Sequence, residues 1–364
     1  MHLELDRPDW SAAPSERVVE RLTEVPLAWR EAAWAGPKDR ATHRRHFDQL
    51  PALREIERGG APAAREEARG GVRVLFWNVE RLRHKTAIEA TLRTEAPDVA
   101  LLCEIDRGMA RTGNIDCMAD LAARLGQGYA YAVEFVELGL GDIREQRDHA
   151  GETNARGFHG AALLTDLEIR RPFLVRIDNR GDWFDGSRHE PRIGGTIALG
   201  AQFLVDGVPV TMVSVHLESH GDPAERAADT GKLRALIQAY DPKAPVVLGG
   251  DFNTSSASLA ERWQHRALWL HRVREEPDLL TRPQLYEPLF GVLAAAGYDW
   301  HGCNVPDIPT QRFPVDDPGR PRAKLDWFFT RGLLAEDAAI IPALRPDGGP
   351  SSDHDALAVT IRPR

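Results

Sequence analysis

Five places in the sequence end or interrupt an apolar run with a side chain that binds metal or phosphate. Asn78 closes the run from Val72 to Trp77, and Glu80 follows two residues on. Glu104 follows Val99-Ala100-Leu101-Leu102-Cys103, and His216 follows Val213-Ser214-Val215. Asp251 and Asn253 lie in Val246-Val247-Leu248-Gly249-Gly250-Asp251-Phe252-Asn253. Asp326 sits inside Leu325-Asp326-Trp327-Phe328-Phe329, and Ser351-Ser352-Asp353-His354 comes just before the last apolar run. Burying a carboxylate without a partner is costly, so packing alone does not account for so many strands ending this way.

Each piece has an ordinary alternative. Asn78 can be a turn residue, His216 a hydrogen-bonded strand end, Asp326 a buried loop cap, and Gly249-Gly250-Asp251-Phe252-Asn253 a turn. Together they supply the parts of a phosphoryl-transfer site, where catalysis is mainly positioning and charge neutralisation. Glu104 is the principal candidate metal ligand. Hard oxygens suit Mg2+, which uses one or two carboxylates and keeps several waters. Asp251 and Asn253, two apart, reach the same side if the chain is extended. Asp251 can then orient or deprotonate the attacking group, and Asn253 can donate to a phosphate oxygen. Asp326 next to an imidazole would fix its tautomer and stabilise its charged form, leaving His354 to steady the phosphate or accept a proton.

The elements that must hold these residues read as strands at 72–77, 98–105, 159–165, 194–205, 208–217, 245–252, 324–330 and 356–361. Helical stretches fall at 86–95, 117–125 and 223–240, the last opened by Asp222 with Pro223 at its first turn. Residues 255–296 also read as helical. Hairpins such as 194–205 with 208–217 across Asp206-Gly207, mixed with helical crossovers, imply mixed sheets, and two sheets covered by helices fit. Two long polar loops, 137–158 and 178–193, are placed to border a site. Residues 1–70 differ in style. Val18, Val19, Leu22 and Val25 have a helical spacing, Pro26 interrupts it, and 59–71 reads as a linker. This predicts a helical N-terminal extension, 1–70, ahead of one domain, 71–364.

The ordered set Trp77-Asn78-Val79-Glu80-Arg81-Leu82, Leu101-Leu102-Cys103-Glu104, Ser214-Val215-His216-Leu217-Glu218-Ser219, Gly249-Gly250-Asp251-Phe252-Asn253, Leu325-Asp326-Trp327 and Ser352-Asp353-His354 resembles the endonuclease/exonuclease/phosphatase superfamily with its DNase I-like fold. The resemblance covers 72–364. It implies a four-layer α/β sandwich with two central mixed β-sheets, a site at one end of the sandwich, and Mg2+ or Mn2+ as the metal. It implies that Asn78, Glu104 and Asp353 belong to the metal region. Asp251 and Asn253 would be the nucleophile-orienting and phosphate-binding pair, His354 the catalytic histidine supported by Asp326, and His216 the phosphate-side histidine. Arg156 and His159, in Arg156-Gly157-Phe158-His159-Gly160, are further candidates for substrate contact. Cys103 departs from the Gln that commonly precedes the metal Glu.

A net charge of −9 argues against a long nucleic-acid track, although a local basic patch remains compatible with it. The reading that follows is a divalent-metal-dependent phosphoesterase acting on a small or lipid-derived phosphodiester. A DNA or RNA nuclease is the alternative, with Arg180, Arg188, His189 and Arg192 as its best patch. A scaffold that kept only the fold should have lost one of Glu104, Asp251, Asn253 or His354, and all four are present. Cys103, Cys117 and Cys303 match no zinc spacing and are expected as buried small hydrophobes. No apolar run reaches the roughly 20 residues of a membrane span. The polar start Met1–Trp10 lacks the pattern of a secretory signal, so the expected compartment is the cytoplasm.

Overall fold

Alternation along the central strands decides the layering. In Val72–Arg81, Val74 and Phe76 turn to one side and Leu75 and Trp77 to the other, and all four are fully buried. A strand with both faces apolar needs cover on both sides. One face meets a second sheet: Val74, Phe76 and Leu101 share a core with Leu199, Met212, Val247 and Phe328. The other face meets Ile88 and Leu92 of the helix Lys85–Glu95 and Met118 and Leu121 of the helix Cys117–Leu125. The second sheet repeats the pattern. Its outer residues Val213, Val215 and Leu248 pack under Leu233 and Ile237 of the helix Pro223–Tyr240 and under Leu289, Phe290 and Leu293 of Leu289–Ala294. The result is a four-layer α/β sandwich with two central mixed sheets.

This architecture comes from a computed structural model that describes residues 13–178, 180–186, 190–313 and 321–364. Arg188 and His189 lie outside the described residues. The nine-stranded sheet runs Val18–Val19, Ile56–Gly60, Gly128–Glu137, Phe158–Thr165, Val99–Arg107, Val72–Arg81, Ala356–Pro363, Leu333–Ile341, with Arg192–Gly194 also paired to Gly128–Glu137. The six-stranded sheet runs Asp326–Arg331, Val246–Asp251, Val208–His216, Ile197–Val205, Glu67–Ala68, with Arg170–Arg176 also paired to Ile197–Val205. Among the described residues no helix is long and apolar enough to cross a membrane.

The structure departs from the sequence reading in four places. Residues 15–25 form no helix; Val18–Val19 pair in parallel with Ile56–Glu57, and Leu22 and Val25 are buried from extended chain. Pro26 begins a helix rather than breaking one, at the N-cap of Leu27–Ala35. The glycine-rich stretch is not a free linker. Ile56–Gly60 pairs with Gly128–Ala132, and a Cβ on Gly59 would stand 2.4 Å from the Tyr129 hydroxyl, so close packing explains that glycine. Residues 255–296 break into short helices, among them Arg266–Glu275, Asp278–Thr281 and Leu289–Ala294. Four further strands were also not read from sequence: Gly128–Glu137, Arg170–Arg176, Leu333–Ile341 and the short Glu67–Ala68. The first hides Glu134 and Glu137 inside the protein, where no hydropathy pattern would place them.

The N-terminal segment is stitched to the rest by buried polar contacts. Arg107 donates to Glu57 at 2.8 Å, Arg30 to the Asn154 carbonyl at 2.6 Å, and Arg176 to the Leu53 carbonyl at 2.7 Å. All three arginines are at most 4% exposed, so losing an acceptor would strand a buried cation.

Candidate active site

Strand ends of both sheets meet at one edge of the sandwich. In the six-stranded sheet, His216 pairs in register with Asp251, and Asp251 with Asp326, so three of the candidate residues lie in a row across neighbouring strands. In the nine-stranded sheet, the register slips between Asn78 and Arg81 and between Leu102 and Ile105. Glu80 (φ 42°), Arg81 (φ 64°), Leu82 (φ 59°) and Glu104 (φ 55°) adopt left-handed backbone there. Such a conformation costs about 1–3 kcal/mol at a non-glycine residue. Bulges of this kind re-aim a side chain. Here they take Glu104 out of the strict alternation that buries Leu102 and Cys103, leaving its side chain 22% exposed.

Hydrogen bonds join the pieces. The Asn78 amide donates to Glu104 Oε1 at 2.9 Å and to Asp251 Oδ2 at 3.2 Å, bridging the two carboxylates. Asp251 Oδ1 accepts the Asn253 N–H at 2.9 Å. His354 Nδ1 meets Asp326 at 2.8 and 3.0 Å, and its Nε2 faces Asp251 Oδ2 at 3.6 Å. Ser352 Oγ donates to the Asn78 carbonyl at 2.6 Å and accepts the His354 N–H at 3.1 Å, while Trp77 Nε1 donates to the His354 carbonyl at 2.8 Å. The last motif is thereby fixed to the first.

Asn253 does not reach this place as extended chain. The strand ends at Asp251, and Asn253 has φ 50°, with one amide hydrogen given to the Leu217 carbonyl at 2.9 Å. A tight turn beside Asp251, not the two-residue repeat of a strand, brings the pair together. The two glycines before it serve the sheet. A Cβ on Gly249 would stand 2.6 Å from the Phe328 ring, and one on Gly250 would stand 2.6 Å from Val215 Cβ and 2.7 Å from its carbonyl. Gly250→Ala is therefore expected to destabilise the fold by about 1–3 kcal/mol, as overpacked cores do. A chemical-denaturation midpoint equal to that of the unaltered protein contradicts this packing account.

One residue with a clear place here escaped the sequence: Glu134. His216 Nδ1 meets Glu134 Oε2 at 3.1 Å, and its Nε2 faces Glu104 Oε1 at 3.9 Å and Asp251 Oδ2 at 4.0 Å. Asp251 thus stands between two imidazoles, each backed by a buried carboxylate. Only the unmarked strand Gly128–Glu137 carries Glu134, so no local signal pointed to it. His159 lies deeper, its Nδ1 on Asp106 at 2.9 Å, and Asp106 is clamped by Arg111 at 2.8 and 2.9 Å. Arg156 is held apart from these groups, facing Asp116 at 3.7 Å. Asp353 is exposed at the rim.

The charges follow from these neighbours. Burial disfavours a charged ring at His354, but Asp326, with Asp251 and Asp353, outweighs it and holds the imidazole well above its ordinary pKa. Burial is likewise overcome at His216, chiefly by Glu134, to about 10. Burial raises Asp251 to about 6 against the pull of His354. Burial would raise Glu104 too, yet His216, Arg81 and His159 bring it down to about 2. Both imidazoles are cationic at neutral pH, and Asp251 between them is ionised.

A model of the endonuclease/exonuclease/phosphatase family matches residues 75–354. The chain belongs to this family. Its members are metal-dependent phosphoesterases, and so is this enzyme, with a phosphate ester as its substrate. The match spans every candidate residue from Asn78 to His354. Solved structures share the fold of this phosphoesterase at low identity. The human Nocturnin catalytic domain matches with TM-score 0.53 and 16% identity over 85% of this chain and 97% of that one. An endonuclease/exonuclease/phosphatase from Beutenbergia cavernae matches with TM-score 0.52 and 18% identity over 80% and 71%. One from Bacteroides vulgatus matches with TM-score 0.50 and 16% identity over 80% and 99%. No curated protein sequence matches the chain.

Two groups of side chains in the phosphoesterase offer themselves to a divalent cation. Asp251, Asp326 and His354 present ligand atoms within 4.8 Å of one another. There, however, Asp326 already holds His354 Nδ1 and Asn253 already holds Asp251 Oδ1. Glu104, Glu80 and Asp353 form the second, close enough to repel one another. Burial, then Asp353 and Glu104, push Glu80 above its ordinary pKa, the mark of carboxylates crowded without enough positive charge. Oxygen donors at a partly open rim also suit a hard cation that keeps its waters.

Proposed function

We propose that this enzyme hydrolyses a phosphodiester of a small or lipid-derived compound, with Mg2+ or Mn2+ held at Glu104 and Asp353 and with Asn78 orienting the Glu104 carboxylate. The observation that supports it most is Asp251 standing between His354 and His216, at 3.6 and 4.0 Å, each ring backed by its own carboxylate. In this reading the ionised Asp251 orients and accepts a proton from the attacking water. The two imidazolium rings face the charge that grows on the phosphate oxygens, and the free amide hydrogen of Asn253 donates to one of them. The bound cation supplies Lewis-acid neutralisation of a phosphoryl oxygen. A diester, with one negative charge, meets less repulsion from Glu80, Glu104, Asp251 and Asp353 than a dianionic monoester does, which favours the diester.

The nuclease reading gains little from the 178–193 loop. Its described arginines are engaged within the protein: Arg180 with Asp178 at 2.8 Å, and Arg192 with Glu137 and Glu190 at 3.5 and 3.6 Å while its guanidinium lies 3.8 Å from the rings of both Phe135 and Trp183. Turnover of bis(p-nitrophenyl) phosphate, p-nitrophenyl phosphate and plasmid DNA with Mg2+, Mn2+ or EDTA tests the proposal. Metal-dependent cleavage of the diester ahead of the other two is expected. Cleavage confined to the plasmid, falling steeply with salt as counterion release requires, would establish the nuclease instead.

A pH dependence follows. Because Asp251 is raised to about 6, it is protonated below that value and cannot take the proton from water. We expect kcat/KM to fall about tenfold per pH unit below this limb. A cation beside Glu104 favours ionised Asp251 and moves the limb down, not up. Asp251→Asn should abolish the limb along with most of the activity. A profile that rises as the pH falls from 7 to 5 contradicts the assigned role.

A further inference from the structure

A cavity of about 890 Å3 opens between the helix Lys85–Glu95 and the chain that leads into the last site motif. Apolar side chains line part of it: Ala87 and Ala90 from the helix, Ile341 and Leu344 from the opposite wall. Lys85 and Arg345 line it as well, together with Glu95 and Asp347. Arg345 is one-third exposed beside Asp347 at 3.3 Å, and Lys85 has no ion-pair partner among the described residues. Both walls continue along the chain to residues of the site. Arg83, which also lines the cavity, follows Glu80 in the chain and faces its carboxylate at 3.7 Å. The segment Leu344–Asp347 precedes Asp353 and His354 in the same loop.

A cavity with these two surfaces suits a ligand with two parts. Ala, Ile and Leu side chains gain from covering apolar surface, while a lysine and an arginine beside them pair with an anion. Neither cation touches the groups assigned to the chemistry. We propose that this cavity seats the parts of the substrate that flank the scissile phosphate, apolar surface together with a second phosphate. The inference rests on the phosphoesterase reading of the neighbouring site and adds what that reading leaves open, the chemical character of the group next to the cleaved bond. A nucleotide and a phosphoinositide-like lipid both have this chemistry.

The test uses the whole chain with Mg2+ and substrates paired by the second phosphate: a thymidine dinucleotide with and without a terminal phosphate, and dioctanoyl phosphatidylinositol with and without a ring phosphate. Bis(p-nitrophenyl) phosphate serves as a control that is too small to reach the cavity. Lys85→Ala/Arg345→Ala is expected to raise KM about tenfold or more for the doubly phosphorylated member of one pair, the loss of one or two charge-assisted contacts. Its partner without the second phosphate and the control should be unchanged, and the responding pair identifies the source. Leu344→Trp, which narrows the cavity, should raise KM for both members of that pair and leave the control alone. Calorimetric binding of the same compounds to the turnover-deficient His354→Gln protein gives the answer without catalysis, with Kd weakened by the same factor when Lys85→Ala/Arg345→Ala is added. An equal KM change on all substrates, or an unchanged Kd for both doubly phosphorylated compounds, overturns the proposal. If the unaltered enzyme cleaves none of the diesters, the diesterase reading fails and the binding measurements still decide the cavity.

Discussion

His354→Gln lowers kcat by about 10³-fold, within the range of a lost general acid–base or charge-stabilising group, and leaves the protein folded. Glutamine is the informative replacement. Asp326 is fully buried and bonded to His354 Nδ1 at 2.8 Å, so truncation to alanine would strand a carboxylate in the core and confuse instability with lost chemistry. The glutamine amide can still donate toward Asp326, but it carries no positive charge to present to a phosphate. The bonds that fix this segment use backbone atoms, the His354 carbonyl with Trp77 Nε1 and the His354 N–H with Ser352 Oγ, and they survive the change. Thermal unfolding and turnover measured on one preparation separate the two effects. A folded variant with near-normal kcat shows that His354 is structural and that the chemistry lies elsewhere.

Glu104→Gln raises the concentration of Mn2+ needed for half-maximal binding by about 10- to 100-fold. The residue sits on a bulge with φ 55°, a conformation that costs stability and is kept where the side chain's direction matters. His216, Arg81 and His159 hold it ionised, so it presents charge to a cation without competition from a proton. Calorimetric or spin-resonance titration of Mn2+ reads the effect directly. Asp326→Asn is the counter-experiment. If the cation instead occupies the group of Asp251, Asp326 and His354, the loosened binding appears in that variant and Glu104→Gln binds normally.

Both predictions rest on residues legible in the sequence, and the second adds a bulge at Glu104 that was not. Glu104, Asp251, Asp326 and His354 each stand at the end of, inside or next to an apolar run, a local pattern that survives because a strand buried on both faces leaves polar residues only at its ends. The eight strands marked from sequence are all present, and the helix opened by Asp222 carries the capping box its sequence announces. What the chain order could not convey is which ends meet. The parallel neighbours Val208–His216 and Val246–Asp251 are joined through an 18-residue helix, and register alone sets His216 beside Asp251.

Glu134 shows the limit most plainly. It lies on a strand of Gly, Ala, Tyr and Val in which glutamates interrupt the apolar pattern, and its significance is a 3.1 Å contact with a residue 82 positions away. The N-terminal stretch shows it in another form. Val18, Val19, Leu22 and Val25 have the spacing of a helical face, but Ile56–Gly60 offers an open strand edge whose backbone groups need partners, and pairing there prevails over local helix. The sequence by itself determined the strand-forming runs, the chemical kinds of the site residues and the family they imply. Tertiary structure decided the bulges that turn Glu104 outward, the carboxylate behind His216 and the cavity beside them, because each depends on partners distant in the chain whose approach no local propensity encodes.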